Sequence, residues 1–407
     1  MNRRAVAVTG LGAVTSAGLG TEALWEALCA GRSLARRLPE LGCSPVDFGC
    51  ALPEDIDVDA EVGGRAAWRM GRFSKLALIA AREAVRDAGL DPATWEGARV
   101  AVVLGVGVGG VSALVDNVRR LDSRGPEAVA PSLVPLMMPN AAAGEIAIAL
   151  GARGPSLAPT TACASGASAL AVGRDLLDTG QCDLVVAGGA ESLLTPLVLA
   201  AFARMGALST RTDPATASRP FAEDRDGFVL GEGAGVVILE RLAHARARRA
   251  RVRALLAGTG SSTDAYHPTA PPADGAGARD AVRAALRDAG WAAQDVDHIN
   301  AHGTSTPLND AMEAAVITRT YARPPVVTAV KGTIGHTFGA AGALEAVVSV
   351  LTLEHQVVPP VANLDLSGMA FDLDCVTKTP RPVRLATALS HSFGFGGHNV
   401  VLALCCP

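Results

Sequence analysis

The chain has 407 residues, 49% hydrophobic and 19% charged, with a formal net charge of -4 at pH 7. This balance excludes a disordered chain and shows no broadly basic character of the kind nucleic-acid surfaces carry, and the length supports one large domain or two smaller ones. Eight cysteines, at 29, 43, 50, 163, 182, 375, 405 and 406, form no C-x-x-C or zinc-knuckle spacing, so a reducing cytoplasm is expected.

The opening "MNRRAVAVTG" lacks the long apolar core and small-residue cleavage site of a signal peptide. Residues 5–12, "AVAVTGLG", predict a strand and turn, followed by a helix over "TEALWEALCAG" with Thr21 as N-cap and Gly31 at its stop. Apolar residues at helical spacing predict a helix over 73–90, and "ARVAVVLGVG" supplies the next strand. The alternation continues through "CDLVVAGGA", "GAGVVILERLAHARARRA" and "ARDAVRAALRDAGW". It predicts an α/β protein with parallel strands covered by helices, and it excludes a bundle or a sandwich. None of the apolar runs is long and continuous enough to span a bilayer. Residues 219–235 read as an ordered turn between two halves, and the Pro/Gly/Ser/Thr-rich 261–278 as a loop, either on the surface or facing substrate.

Three strand-to-helix junctions carry reactive side chains. "PTTACASGASALA" places Cys163 at a helix start, where it is either a small core residue or a nucleophile whose thiolate is favoured by backbone N–H groups and a nearby imidazole. "NAHGTSTPLND" carries His302, and "KGTIGHTFGAAG" carries Lys331 and His336. The Cys163 and His336 segments each place a Gly-containing turn before an Ala-rich helix, a faint repeat that would bring two helix starts to a shared centre. Strand ends beside helix starts are where α/β proteins place ligands. Zinc on Cys163, His302 and His336 is chemically conceivable, but the close ligand pairs are missing and Lys331 adds a repelling charge. In "VTGLGAVTSAG" the third glycine of a dinucleotide fingerprint is replaced by Thr15, so nucleotide binding is not expected.

Together "TTACASGASAL", "NAHGTSTPLND", "KGTIGHTFGAAG" and "HSFGFGGHN" resemble, in order and over essentially the whole chain, the elongating β-ketoacyl-acyl-carrier-protein synthases of the thiolase superfamily, ketosynthase II-like. The resemblance implies a duplicated five-layer α-β-α-β-α architecture. Residues 1–250 would form the half with the nucleophile, and 251–407 the half with both histidines. It implies that Cys163 accepts the acyl chain, that His302 and His336 hold a thioester oxygen through Nε2–H, and that Lys331 tunes them through Glu313. It further implies an oxyanion hole from the N–H groups of Cys163 and Phe395. Phe395 would be a gate between the mobile glycines Gly394, Gly396 and Gly397, and Val108 would line an acyl tunnel. Substrates would arrive on the phosphopantetheine of an acyl carrier protein, with no bound cofactor and no metal. Arg65, Arg69 and Arg72 are candidates to greet that acidic partner. The enzyme would be a homodimer, or a heterodimer with a chain-length-factor subunit, serving fatty-acid or type II polyketide elongation. Neither nucleic acid nor membrane is expected as a partner. A noncatalytic or partner-dependent scaffold subunit is the alternative, and retention of Cys163 argues against it. Priming synthases use Cys-His-Asn, and degradative thiolases a second cysteine in a C-terminal motif, which "ALCCP" does not supply. His398 departs from the threonine common in the housekeeping enzymes and is expected either to alter loop packing or to redirect a hydrogen bond.

Overall fold

The computed structural model describes residues 6–42 and 46–407, apart from the side chains of Arg65 and Ala66. Its longer elements, in chain order, are β1 (Val6–Thr15), α1 (Thr21–Ala30), α2 (Arg72–Asp87), β2 (Val100–Gly105), α3 (Val111–Arg124), α4 (Ala141–Leu150), α5 (Ser165–Asp178), β3 (Leu184–Glu191) and β4 (Gly233–Arg241). They continue with β5 (Ala254–Thr263), α6 (Ala276–Ala289), β6 (His298–Asn300), α7 (Pro307–Thr320), β7 (Val326–Thr328), α8 (Ala341–His355), β8 (Thr387–Gly394) and β9 (His398–Cys405).

The strands join in one sheet in the order Asp374–Cys375, β7, β6, β8, β9, β5, β1, β4, β3, β2, Ser156–Leu157. It is mixed, which corrects the expectation of parallel strands. β2–β3, β6–β7 and β6–β8 are parallel, whereas β1 runs antiparallel to β4 and β5, and β9 antiparallel to β5 and β8. The tight "GFGG" connection between β8 and β9 is the reason at that point, since antiparallel neighbours need only a short loop and parallel ones a crossover.

Strand alternation divides the core into layers. Ala101, Val103, Val185, Ala187, Leu402 and Leu404 face a central cluster with residues of α5 and α8. Val100, Val102, Leu184 and Val186 face the outer cluster with α2 and α4, and Leu389, Val401 and Ala403 the outer cluster with α6 and α7. Helices, strands, the α5–α8 pair, strands and helices therefore stack as five layers. Thr21 is a misplaced cap: Gly20 occupies the N-cap position, and the Thr21 N–H donates to Glu83 Oε1 at 2.8 Å instead. Gly31 closes α1 in the left-handed conformation as expected.

The faint repeat is real in the backbone. Ala162–Ala164 and Phe338–Ala340 are both short 3-10 turns leading directly into the central helices, and their first residues share positive φ angles of 50° and 47°. The helices then cross at glycine. A Cβ at Gly166 would lie 2.7 Å from the Ala343 nitrogen, and one at Gly342 would lie 2.8 Å from the Ala167 nitrogen. Because backbone, not a flexible side chain, is in the way, Gly166→Ala is expected to cost about 1–3 kcal/mol. It should also displace the turn that carries Cys163 at the start of α5 and so change the rate at which that thiol is alkylated. Thermal unfolding and alkylation rates measured on one preparation check both.

Candidate active site

Cys163 is buried in the turn ahead of α5. Positive φ at Ala162 is strained for a residue with a side chain, and local hydrogen bonds hold it: Ser165 Oγ donates to the Ala162 carbonyl at 2.6 Å and accepts the Thr161 N–H at 2.9 Å. The turn thereby presents the sulfur to a cavity of about 280 Å3. Burial pushes the thiol up to about 12, opposed by the Lys331 charge and by the backbone N–H groups of Phe395 and of Cys163 itself. This corrects the expectation that the helix start favours the thiolate, because α5 begins at Ser165 and desolvation is the largest effect. The resting residue is a thiol. Its reactive fraction, and so its alkylation rate by iodoacetamide, should rise about tenfold per pH unit from roughly pH 7 to 9. A plateau in that range, read by intact-protein mass, would contradict the burial argument.

The hydrogen bonds at Nδ1 set the tautomers of both His302 and His336. Phe338 N–H donates to His336 Nδ1 at 3.2 Å, so the proton of the neutral ring lies on Nε2, which stands 3.2 Å from Cys163 Sγ. Lys331 Nζ lies 3.2 Å from His302 Nδ1 and 2.6 Å from the His302 carbonyl, and an ammonium can only donate, so His302 also carries its proton on Nε2. Burial, then the Lys331 charge, hold both imidazoles well below the usual histidine range, and they are neutral donors at neutral pH.

Lys331 does not act through Glu313. Its ammonium pairs with Glu345, an unforeseen carboxylate from the second turn of α8. Glu313 instead holds backbone, accepting the His302 N–H at 2.9 Å and the Gly303 N–H at 2.8 Å. The 219–235 segment braces the same region: Phe221 N–H donates to Asp310, Gly227 N–H to the Ser305 carbonyl, and Gly231 N–H to the His336 carbonyl. It is thus a wall behind the histidines, although Arg219 with Asp224 and Asp226 does order it as a turn.

Phe395 lines the cavity, and its backbone N–H favours the Cys163 thiolate against the burial. Gly394 is required by close approach, since a Cβ there would lie 2.6 Å from the Thr161 carbonyl oxygen. Gly396 and Gly397 have positive φ, and the His398 ring lies against Gly396, so this histidine does pack on the loop. Of the 261–278 segment, whose ends belong to β5 and α6, the residues Asp264, His267, Thr269, Ala270 and Pro271 line the cavity, while Tyr266 is exposed at the surface. Val108 is not in the lining; its side chain is 47% exposed, while its N–H and those of Gly107 and Gly109 are held by buried Glu191. Arg69 forks onto Glu145 and Arg72 onto buried Glu232, so both are engaged within the chain. The side chain of Arg65 lies outside the described residues.

Ligand atoms of Cys163, His302 and His336 lie within 4.8 Å of one another, yet the set does not suit a metal. Coordination needs the Nε2 lone pairs, and freeing them would turn Nδ1–H toward donors, the Lys331 ammonium and the Phe338 N–H. The same atoms suit an oxygen that gains negative charge.

Residues 3–245 match the Beta-ketoacyl synthase N-terminal domain, and residues 253–365 match the Beta-ketoacyl synthase C-terminal domain. The chain belongs to the β-ketoacyl synthase family. The synthase is 40% identical over 410 residues to 3-oxoacyl-acyl-carrier-protein synthase 2 of Synechocystis sp., covering 99% of this chain and 98% of the relative. The structure of the ishigamide ketosynthase/chain length factor is similar with a TM-score of 0.89 at 35% identity, covering 100% of both chains. Another, a ketosynthase bound to the hexaketide in complex with its type II polyketide synthase acyl-carrier protein, has a TM-score of 0.90 at 30% identity and covers 100% of both chains. The synthase is therefore an enzyme of thiolase-like α/β fold that elongates acyl chains by condensation. No helix among the described residues is long and apolar enough to cross a membrane.

Proposed function

We propose that the synthase condenses a Cys163-bound acyl chain with malonyl-acyl carrier protein by decarboxylative Claisen chemistry. The observation that supports this most is the convergence on one cavity of a sulfur, two Nε2–H donors and the Phe395 N–H.

In the first half-reaction the Cys163 thiol loses its proton to solvent, and its sulfur attacks the acyl thioester delivered on a phosphopantetheine arm. The N–H groups of Cys163 and Phe395 receive the carbonyl oxygen as it gains charge, and the carrier thiolate leaves. In the second, the malonyl carboxylate departs as carbon dioxide, and its bonding electron pair moves into the thioester as an enolate. His302 and His336 donate to that enolate oxygen, where their hydrogen bonds strengthen as charge develops. The enolate carbon then attacks the Cys163 acyl thioester, forming the new C–C bond and releasing the cysteine sulfur. The product is a β-ketoacyl carrier protein two carbons longer. Phe395 serves as the gate, and no bound cofactor is required.

An acyl carrier protein is the proposed partner, together with a second subunit of the same fold. Leu114, Val118 and Leu121 of α3, at helical spacing, Ile148 of α4 and Leu157 on the edge strand are exposed large apolar side chains. A face of this kind on an enzyme marks an interface, and Val108 lies beside it at the entry to α3, so a tunnel wall there would be completed by the second subunit. The free cysteines among the described residues fit the cytoplasm.

The test is intact-protein mass spectrometry after mixing with a graded series of acyl carrier proteins, followed by a malonyl-carrier-protein chase. An acyl mass discharged into an extended β-keto product is expected. Homodimers favouring saturated chains would support fatty-acid service, and a copurifying cysteine-less subunit would support polyketide service. No adduct with any chain, in the presence of such a partner, would favour the scaffold reading.

A further inference from the structure

We infer that His391 is a positioning residue for the decarboxylation step, acting through Glu313 on His302. The inference rests on the assignment of His302 as a donor to the malonyl thioester oxygen.

His391 lies on β8, fully buried, two residues before Phe393 and four before Phe395. Its Nδ1 is 3.1 Å from Glu313 Oε1, the same oxygen that accepts the His302 N–H. Glu313 Oε2 accepts the Gly303 N–H and lies 3.5 Å from Asn309 Nδ2. A carboxylate that takes two backbone N–H bonds is an acceptor, so His391 must donate from Nδ1. Its Nε2 is buried with no hydrogen-bond partner among the described residues, so the contact to Glu313 at Nδ1 is the ring's hydrogen bond.

Lys331 is committed elsewhere, paired with Glu345 and reaching His302 at Nδ1 and at the carbonyl. The Glu313 carboxylate is held by two backbone N–H groups, Asn309 and His391. His391 is the donor that ties it to β8, the strand whose end carries the Phe395 N–H. The ring also packs against Phe393 at 5.4 Å between centroids, and Phe393 meets the His302 ring edge-on at 5.9 Å. His302 is thus clamped between two carboxylate systems, one at its side chain through Lys331 and one at its backbone through Glu313 and His391. Losing the second leaves the tautomer intact but frees the backbone that aims Nε2–H. Misplacement of about 1 Å costs on the order of 100-fold in rate.

The experiment separates the half-reactions in the intact synthase. His391→Leu is expected to slow carbon dioxide release from malonyl carrier protein on the order of 10- to 100-fold, with Cys163 acylation, followed by intact mass, changed less than about twofold. His391→Asn, whose side-chain N–H replaces the Nδ1–H, should recover most of that loss. In a Glu313→Gln background His391→Leu should add little, because the two residues act as one unit. If His391→Leu fails to fold, His391→Ser, too short to reach Glu313, must give the same split. Equal slowing of both half-reactions, or of neither, or additive effects with Glu313→Gln, would overturn the inference. His302→Ala separates this from failure of the underlying assignment. If it leaves carbon dioxide release unchanged, the assignment itself falls. If it abolishes release while His391→Leu does not slow it, only the role of His391 falls.

Discussion

Replacing Cys163 with alanine is expected to abolish the acyl adduct and to lower condensation by at least about 10^3-fold, while carbon dioxide release from malonyl carrier protein persists. The asymmetry follows from how the site is held. Cys163 accepts from His336 Nε2–H but sets neither tautomer: the Phe338 N–H does that for His336 and the Lys331 ammonium for His302. Both donors therefore remain aimed at the cavity when the sulfur is gone. The fold should be intact, because Cys163 is a small side chain beside an existing cavity and alanine is close to it in size. Intact-protein mass and trapped carbon dioxide, measured on the same mixture, read the two outcomes separately. An adduct on the alanine variant would place the acyl chain on another residue. Loss of carbon dioxide release along with the adduct would mean that the histidines depend on the sulfur.

The reactive quartet was legible because each member sits in a long, distinctive junction between a strand and a helix. The motifs around Cys163, His302, Lys331 and His336 announce such junctions, and in an α/β fold those ends converge. The side chains that hold these four from behind were less legible. Glu345 lies in "GALEAVVSVL", an Ala- and Val-rich helix where a carboxylate reads as a solvated residue; the signal was its isolation within an apolar run that has no polar face. The Lys331–Glu313 pairing that the family resemblance implies is not fixed by spacing, which cannot say which of two carboxylates faces an ammonium and which faces a backbone. His391 stood in a quoted motif, yet its role depends on α7 packing against β8, a pairing made 78 residues apart in the chain. Cys163 shows a different limit. Helix-start N–H groups are visible in sequence, whereas the burial that outweighs them arises only when α5 and α8 close over the turn. Arg69 and Arg72 read as a basic rim until Glu145 and Glu232 were found beneath them.

Breaking the Lys331–Glu345 pair from one side should produce the largest combined loss of stability and activity. Both groups are buried, and removing one partner of such a pair leaves an uncompensated charge at a cost of roughly 3–5 kcal/mol. Lys331→Met does this and also removes the donor at His302 Nδ1, so His302 is free to adopt the tautomer with no proton on Nε2. Malonyl decarboxylation should then fall by about 100-fold or more. The double variant Lys331→Met/Glu345→Gln distinguishes the two effects. Without a stranded carboxylate it should regain most of the stability, since a buried pair replaced by neutral groups of similar volume is often close to neutral in energy. It should not regain activity, because nothing restores the donor at Nδ1. Glu345→Gln alone, which leaves the ammonium hydrogen-bonded to His302, should be destabilised yet retain more decarboxylation than Lys331→Met. Thermal unfolding together with carbon dioxide release across the three variants checks the ranking. If activity returned with stability in the double variant, the ammonium would be only a structural cation, and the tautomer of His302 would have to be set by something other than Lys331.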